Sequence, residues 1–202
     1  AIKIRAAGVN FKDVAKVAGL LSDSILDRSG LPEHLGMECA GDIVAIGEGV
    51  DSFAVGDEVM GIALNCFGNY TICRPATLVH KPSHLSFEEA ATIPLVFLAA
   101  EYALHQCARI RKGDRVLIHT AAGGVGLSAI QVAREAGADV FATAGSREKR
   151  EFLKSLGVTC VSDSRSFSFV EDILEQTGGE GVDIIINTLP ASTISKSMSL
   201  LK

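Results

Sequence analysis

The chain has 202 residues, of which 48% are hydrophobic and 21% charged, and its 20 glycines are typical of a globular chain with many turns and room for one or two domains. Its net charge of −5 gives no electrostatic case for binding nucleic acid or an anionic membrane, and no apolar run approaches the roughly 20 residues of a membrane-spanning helix. The five cysteines form no Cys-x-x-Cys pair, which indicates reduced thiols in a cytoplasmic protein rather than a disulfide framework or a zinc site.

The first ninety residues have the pattern of a small all-β domain. Ala1–Ala7 alternates apolar with basic side chains and predicts a half-buried strand. Asn10 is expected to cap a short helix over Phe11–Ala18, which Gly19 ends, and Leu20–Gly36 is expected to be a long surface loop. Short strands that favour a small barrel are predicted at Asp42–Ile46, Glu58–Met60, Asn69–Arg74 and Leu78–Lys81.

From about residue 90 the pattern changes to alternating helices and strands. Ser86 and Glu89 have the spacing of a capping box, and Pro94 suits the first turn of a helix over Leu95–Gln106. The order predicts an all-β domain over residues 1–90 and an open, doubly wound parallel sheet over residues 91–202. Four further strands are predicted at Val116–His119, Val140–Ala144, Val158–Val161 and Val182–Asn187. Three helices are predicted between them. The first ends at Gly137, the second covers Arg147–Leu156, and the third runs from a second capping box, Ser168 with Glu171, to Gln176.

A turn of small residues joins the first of these strands to its helix. Ala121-x-Gly123-x-x-Gly126 is the G-x-G-x-x-G pattern with alanine in first place. Gly123 would let the backbone approach a pyrophosphate, and the helix N-terminus would present unpaired N–H groups to it. A glycine turn needed only for packing is the alternative, but the surrounding strand, helix and strand favour dinucleotide binding. The expected contacts are Ala122, Gly123, Gly124 and Val125.

The end of the second strand of this unit indicates which dinucleotide is bound. Chains that bind NAD place an acid there to bond the ribose hydroxyl. Here Ala144 is followed by Gly145, Ser146 and Arg147, with Lys149 just beyond. The missing acid and the two cations favour a 2′-phosphate and hence NADPH, although the cations could also form a solvated first helical turn.

Several stretches together carry a resemblance to a known superfamily. The segment Gly36–Gly61, GMECAGDIVAIGEGVDSFAVGDEVMG, resembles the barrel signature of the medium-chain dehydrogenases/reductases, in which a GroES-like β-barrel precedes a Rossmann domain. Within the superfamily the chain is most similar to the enoyl reductase domains of type I polyketide synthases and animal-type fatty acid synthases. The matching stretches are Ala6–Asp13, Leu85–Leu98, Arg115–Gly126, Ser164-Arg165 and Gly179–Leu189, and the resemblance covers essentially the whole chain.

The resemblance implies an activity and its partners. The expected reaction is the NADPH-dependent reduction of an α,β-unsaturated acyl thioester on an acyl carrier protein, in a multifunctional synthase with neighbouring synthase domains and a homodimeric state. A standalone quinone oxidoreductase without zinc and a non-catalytic remnant of the same fold are the alternatives. The stereochemistry of reduction stays open, since Leu21 and Ala99 depart from residues common in the family.

The resemblance also implies roles for individual residues. Ser146 and Lys149 would contact the 2′-phosphate, and Arg165 would be a further contact. The residues expected to border the nicotinamide follow the fourth strand: Asn187, Thr188 and Leu189. Asn10 and Asp13 match the family's Asn-Phe-x-Asp and are interpreted mainly as a helix cap and a first-turn acid, with a substrate-side role as the alternative.

Other positions depart from the zinc-dependent members of the superfamily. Met37 lies where those members carry a histidine ligand, and a thioether is a poor ligand for zinc, so no metal is expected. Cys39 and His119 are interpreted as core residues. The proton donors of the family would lie beyond Lys202, so no catalytic residue is predicted. We expect a piece of a longer protein, lacking the first barrel strands and the last Rossmann strands and inactive alone.

Overall fold

The computed structural model describes residues 1–21 and 34–202. Most of the predicted loop over Leu20–Gly36 therefore lies outside the described residues. The chain divides into two units, Ala1–Leu95 and Val96–Lys202. Within the two described ranges, no helix is both long and apolar enough to cross a membrane.

The first unit is built on an antiparallel sheet. Its five strands pair in the order β4-β1-β2-β3-β5, and a short helix packs its alanines against Ala40 of the sheet. The strands are β1 Ile2–Ala7, β2 Glu38–Ile43, β3 Glu58–Ile62, β4 Tyr70–Thr71 and β5 Leu78–His80. The helices are α1 Phe11–Val17 and α2 Phe87–Ala91, with a 3₁₀ turn at Pro75–Thr77.

The predicted strand Asp42–Ile46 is wrong in position, because the strand observed there is Glu38–Ile43. β2 lies between β1 and β3 and is buried along almost its whole length, so its sequence lacks the alternation of a half-buried strand. Small residues are needed there because Ala40 contacts Ala90 and Ala91 of α2. The predicted strand Asn69–Arg74 shrinks to Tyr70–Thr71.

A buried carboxylate links three separate segments of this unit. Glu38 is only 2% exposed, and its Oε1 accepts a hydrogen bond of 2.8 Å from Nδ2 of Asn10. Its Oε2 accepts a bond of 2.8 Å from the backbone N–H of Leu95. No cation of the described residues forms an ion pair with it, so these two neutral donors stabilise the buried charge.

The second unit contains a parallel sheet with helices on both faces. The order β8-β7-β6-β9 corresponds to 3-2-1-4 of the Rossmann order, and the two faces carry separate apolar clusters, which confirms the predicted doubly wound arrangement. The strands are β6 Arg115–Ile118, β7 Asp139–Ala144, β8 Cys160–Asp163 and β9 Ile184–Ile186. The helices that follow α2 in the chain are α3 Pro94–Glu101, α4 Gly124–Glu135, α5 Arg147–Ser155, α6 Ser168–Gln176 and α7 Ile194–Met198.

Two expected elements differ in detail. The predicted helix over Leu95–Gln106 is α3 followed by a π-helical segment, Tyr102–Cys107. The predicted strand Val158–Val161 begins two residues late, at Cys160, because the N–H of Val158 donates to the carbonyl of Leu153 and completes the end of α5.

One of the two predicted capping boxes is confirmed. The hydroxyl of Ser86 accepts from the N–H of Glu89, whose carboxylate accepts from the N–H of Ser86. The second box is wrong. Ser168 is the first residue of α6 rather than its cap, and its hydroxyl lies 2.7 Å from that of Ser166.

We predict that Glu38→Ala lowers the free energy of unfolding by about 3 kcal/mol, because the substitution leaves the amide of Asn10 and the N–H of Leu95 without an acceptor. Glu38→Gln should cost less, since one acceptor oxygen remains. Urea-induced unfolding measures both changes. The matched control is Asp42→Ala on the same strand, β2, whose ion pair with the half-exposed Arg5 should be worth at most about 1 kcal/mol. Equal losses for the two alanine variants would contradict the prediction.

Candidate functional site

The turn between β6 and α4 brings backbone unusually close to backbone. A Cβ at Gly126 would lie 2.5 Å from both the Cα and the carbonyl oxygen of Ala121, so only glycine allows α4 to start against the end of β6. Gly123 is the N-cap residue of α4, and its N–H donates to the carbonyl of Thr120. The first N–H groups of α4 therefore have no partner within their own helix and are available to an anion.

Thr120 has a backbone conformation that is rare for its side chain. Its φ of 47° lies in the left-handed region, which a β-branched residue seldom adopts. Its hydroxyl bonds to the hydroxyl of Thr188. Because Thr188 donates its own proton to the carbonyl of His119 at 3.0 Å, Thr120 must be the donor to Thr188. These bonds join the carboxyl ends of β6 and β9.

An open cleft of about 100 Å³ lies at the carboxyl ends of β6 and β7. This is the edge at which open α/β sheets bind ligands. Of the predicted contacts, Ala122, Gly123 and Lys149 line the cleft, whereas Gly124 and Val125 begin α4 beside it. Its lining residues are Thr120, Ala122, Gly123, Ala144, Gly145 and Lys149.

The residues predicted to contact a 2′-phosphate lie at one end of this cleft. Ser146 caps α5, and its hydroxyl accepts from the N–H of Lys149 at 3.3 Å. Arg165 follows β8, and a Cβ at Gly145 would lie 3.0 Å from its Nε. The arginine therefore lies against Gly145, and the structure brings Ser146, Lys149 and Arg165 together.

The predicted nicotinamide-side residues form a small turn after β9. The amide of Asn187 closes it, since its Oδ1 accepts from the N–H of Leu189 and its Nδ2 donates to the carbonyl of the same residue. Thr188 is attached to the end of β6 through His119 and Thr120. The turn therefore lies at the carboxyl edge of the sheet, where the cleft is.

Asn10 and Asp13 lie in the first unit. Asn10 is the N-cap residue of α1, and its amide donates to Glu38. Asp13 is 2% exposed, and its two oxygens accept from the N–H groups of Asn10, at 3.0 Å, and Gly36, at 2.9 Å. These bonds give both side chains a structural role, and the substrate-side role stays a prediction.

Comparison with known protein families covers both units. The alcohol dehydrogenase GroES-like domain matches residues 1–100, and the zinc-binding dehydrogenase family matches residues 124–202. The chain belongs to the medium-chain dehydrogenase/reductase superfamily. The expected GroES-like unit followed by a Rossmann sheet is thereby confirmed.

Relatives and solved structures narrow the resemblance within this superfamily. A phenolphthiocerol/phthiocerol polyketide synthase of Mycobacterium tuberculosis is 40% identical over 200 residues, which are 99% of this chain and 9% of that protein. A highly reducing polyketide synthase of Didymella fabae is 43% identical over 204 residues, 99% of this chain and 10% of that protein. The chain thus spans about a tenth of these curated relatives.

Among solved structures, CurK enoyl reductase matches with a TM-score of 0.92 and 44% identity over 100% of this chain and 62% of that one. The mycobacterial protein Rv1454c, solved in complex with NADPH, matches with a TM-score of 0.84 and 30% identity over 99% and 61%. The resemblance to the enoyl reductases of polyketide synthases, stated from the sequence, is confirmed.

The expected metal ligand of zinc-dependent superfamily members is replaced here by Met37, which is 7% exposed. In the part of the chain that the structure describes, no three or more His, Cys, Asp and Glu side chains form a group that could hold a metal ion. Cys39 is 1% exposed and packs with Cys66 and Ala63, which confirms its interpretation as a core residue.

His119 is a buried, fully hydrogen-bonded residue, as predicted. Its Nδ1 lies 2.9 Å from the hydroxyl of Thr143 and its Nε2 lies 2.9 Å from that of Ser197. Because Ser197 donates its proton to the carbonyl of Thr193, we assign the imidazole proton to Nε2. Burial lowers the pKa of His119 to about 4, so the ring is neutral at physiological pH.

Three residues of the cleft are not predicted as contacts from the sequence, and Ala144, the last residue of β7, is one of them. Gly145 lies in the segment after Ala144 from which the sequence predicts NADPH. That prediction depends on the absence of an acid there and assigns no contact to the glycine. Thr120 gives no signal, because nothing in a threonine's neighbours predicts a left-handed backbone. Its position depends on the bond to Thr188, 68 residues away in the chain.

We predict that His119 makes stability depend on pH in a defined window. Its folded-state pKa of about 4 lies below the ordinary 6.5, so the unfolded chain takes up a proton first as pH falls. Stability is fully present above 6.5 and is lost between 6.5 and 4, by about 2 to 3 kcal/mol at pH 4.5. Urea unfolding of His119→Gln at pH 7 and 4.5 should show a loss smaller by that amount than in the unsubstituted protein. The same loss in both would show that other groups cause it.

Proposed function

We propose that this chain is the enoyl reductase domain of a polyketide synthase and that it uses NADPH to reduce the α,β-double bond of an acyl thioester carried by an acyl carrier protein. The observation that carries the proposal is the cleft at the strand ends, where a glycine turn meets side chains that can donate hydrogen bonds to a phosphate, in a chain similar to such enzymes. The same proposal includes neighbouring synthase domains as partners and a domain division into residues 1–90 and 91–202.

The residues at the cleft fit a dinucleotide. The N-terminal N–H groups of α4 at Gly124 and Val125 would hold the pyrophosphate, and Ala122 and Gly123 leave room for it because they carry at most a methyl group. The side chains that would hold the 2′-phosphate are those of Ser146, Lys149 and Arg165. The chain has no acid at the end of β7, where NAD-binding chains carry one that would repel this phosphate. This set supports NADPH rather than NADH.

The chain's own residues would orient the nicotinamide end. When bound, NADPH supplies a hydride to the substrate. Thr188 is held by the carbonyl of His119 and the hydroxyl of Thr120, and Asn187 and Leu189 are bonded to one another. A turn with so many internal bonds can present a fixed edge to the ring, which limits the orientations from which a hydride can leave.

A quinone oxidoreductase is the second candidate, because solved members of that class also match. The enzyme from Coxiella burnetii matches with a TM-score of 0.83 and 33% identity over 100% of this chain and 63% of that one. The match to CurK enoyl reductase has higher identity, 44%, and a higher TM-score, 0.92, which favours the thioester. The third candidate is a non-catalytic remnant, which would need polar side chains only where they stabilise the fold. Ser146, Lys149 and Arg165 lie together at a cleft rather than in the core, which favours a binding role over a structural one.

The activity test compares two electron acceptors. We expect the intact protein to oxidise NADPH with crotonyl-pantetheine and to leave a benzoquinone unreduced under the same conditions. The product should be the saturated thioester, identified by mass spectrometry. Turnover of the quinone alone would support the second candidate, and NADPH binding without turnover of either acceptor would support the remnant.

We predict that Lys149→Ala weakens NADPH binding by roughly 10- to 150-fold, which corresponds to the loss of one charge-assisted hydrogen bond of about 1.5–3 kcal/mol. NADH binding should barely change, because NADH lacks the 2′-phosphate. Nucleotide fluorescence titration measures both. The matched control is Lys154→Ala on the same helix, whose ammonium pairs with Glu151. Equal losses for both cofactors would mean that Lys149 does not contact the phosphate.

A further inference from the structure

We propose that the ion pair of Arg150 and Asp163 positions Arg165 against the cleft and so determines how strongly the chain distinguishes a 2′-phosphate from a 2′-hydroxyl. The inference rests on the proposed function, because it assumes a nucleotide in the cleft. Arg150 and Asp163 do not line the cleft themselves. They are positioning residues that act through Arg165.

The pair joins three elements at the end of the sheet. Asp163 is the last residue of β8 and lies opposite Ala144, the last residue of β7. Its Oδ2 lies 3.1 Å from Nη1 of Arg150 on α5. The same Nη1 donates to the carbonyl of Ala144 at 3.1 Å, so Arg150 connects α5 to the ends of both strands.

The second carboxylate oxygen of Asp163 controls the chain that carries Arg165. Its Oδ1 accepts a hydrogen bond of 2.8 Å from the backbone N–H of Arg165. This bond spans two residues and closes an Asx-type turn directly after β8. The turn directs the chain so that the Nε and Cζ of Arg165 come within 3.0 and 3.5 Å of a Cβ position at Gly145. Gly145 lines the cleft, so the guanidinium lies at its border.

The charges around the cleft differ in how they are used. In the described ranges the guanidinium of Arg165 forms no ion pair with a carboxylate, so its donors are available to a phosphate. Asp163 is the acid on the strand next to the one that ends at the cleft, and without a partner its charge would repel a phosphate. Arg150 neutralises that charge while it holds the carboxylate in place.

The location of the pair explains why stability is not its main contribution. The side chains of Arg150 and Asp163 are 24% and 36% exposed, and pairs of that exposure add little to folding. Each charged group nevertheless makes a second bond, to the backbone of Ala144 or of Arg165. Those second bonds fix a geometry, and the geometry is that of the predicted 2′-phosphate contact.

A charge-neutral double variant separates positioning from electrostatics. Asp163→Ala alone also frees a cation, so its effect on phosphate binding would combine two causes. Arg150→Met with Asp163→Ala removes one positive and one negative charge and leaves the net charge unchanged. It also removes the acceptor of the Arg165 N–H, which an asparagine would keep. If the pair acted only through its charges, phosphate binding would stay the same. If it positions Arg165, phosphate binding weakens.

The probes are 2′,5′-ADP and 5′-ADP, titrated into the intact protein by calorimetry. We expect the double variant to bind 2′,5′-ADP about tenfold more weakly, the lower end of what one charge-assisted hydrogen bond contributes, and to bind 5′-ADP within about twofold of the unsubstituted protein. The matched control is Glu151→Gln with Lys154→Met, an exposed pair of the same helix, 3.2 Å apart, whose loss should change neither affinity. An unchanged 2′,5′-ADP affinity in the Arg150/Asp163 variant would overturn the inference.

Arg165→Met supplies the test that the pair acts through Arg165. In that background the double substitution should produce no further loss of 2′,5′-ADP affinity, because the group that it positions is gone. A further tenfold loss would contradict the assignment to Arg165. The proposed function fails separately, if the unsubstituted protein shows no preference for 2′,5′-ADP over 5′-ADP.

Discussion

The second unit depends on one close contact between backbone atoms. At Gly126 the helix α4 approaches Ala121 so closely that any Cβ would lie 2.5 Å from the Cα and carbonyl oxygen of that residue. A larger residue would push α4 away from the sheet and open the apolar cluster that α4 shares with β6 and β7. The same contact places the first N–H groups of the helix beside the cleft. Packing of the core and the geometry of the cleft are therefore set by the same glycine.

The turn beside that contact is held in an uncommon conformation. Thr120 has a φ of 47°, a conformation that costs free energy for a β-branched residue. It persists because the Thr120 carbonyl accepts from the N–H of Gly123 and its hydroxyl donates to Thr188. The turn after β9 is thus attached to the turn after β6. Two segments far apart in sequence hold each other at the edge where a ligand of the sheet binds.

The parts of the structure that sequence could predict are those determined by neighbours in the chain. The glycine turn, its helix and the missing acid after Ala144 follow from local patterns. The predicted strand Asp42–Ile46 is misplaced because a strand buried on both sides has no alternation, and the capping box at Ser168 fails because Ser166 bonds to its hydroxyl. The contact of Asp163 with Arg150 needs the pairing of β7 with β8, which no local pattern contains.

The cations around the cleft fall into two groups, one paired with an acid of the chain and one without such a partner. Arg150 is paired with Asp163 and bonds to the backbone, so its position is fixed before any ligand arrives. Lys149 and Arg165 form no ion pair within the described residues, although Lys149 lines the cleft and Arg165 lies against Gly145 at its border. Two unpaired cations near one another repel, and a phosphate between them would remove that repulsion. Binding of a 2′-phosphate should therefore raise the free energy of unfolding of the second unit, because the ligand supplies the anion that the chain lacks there.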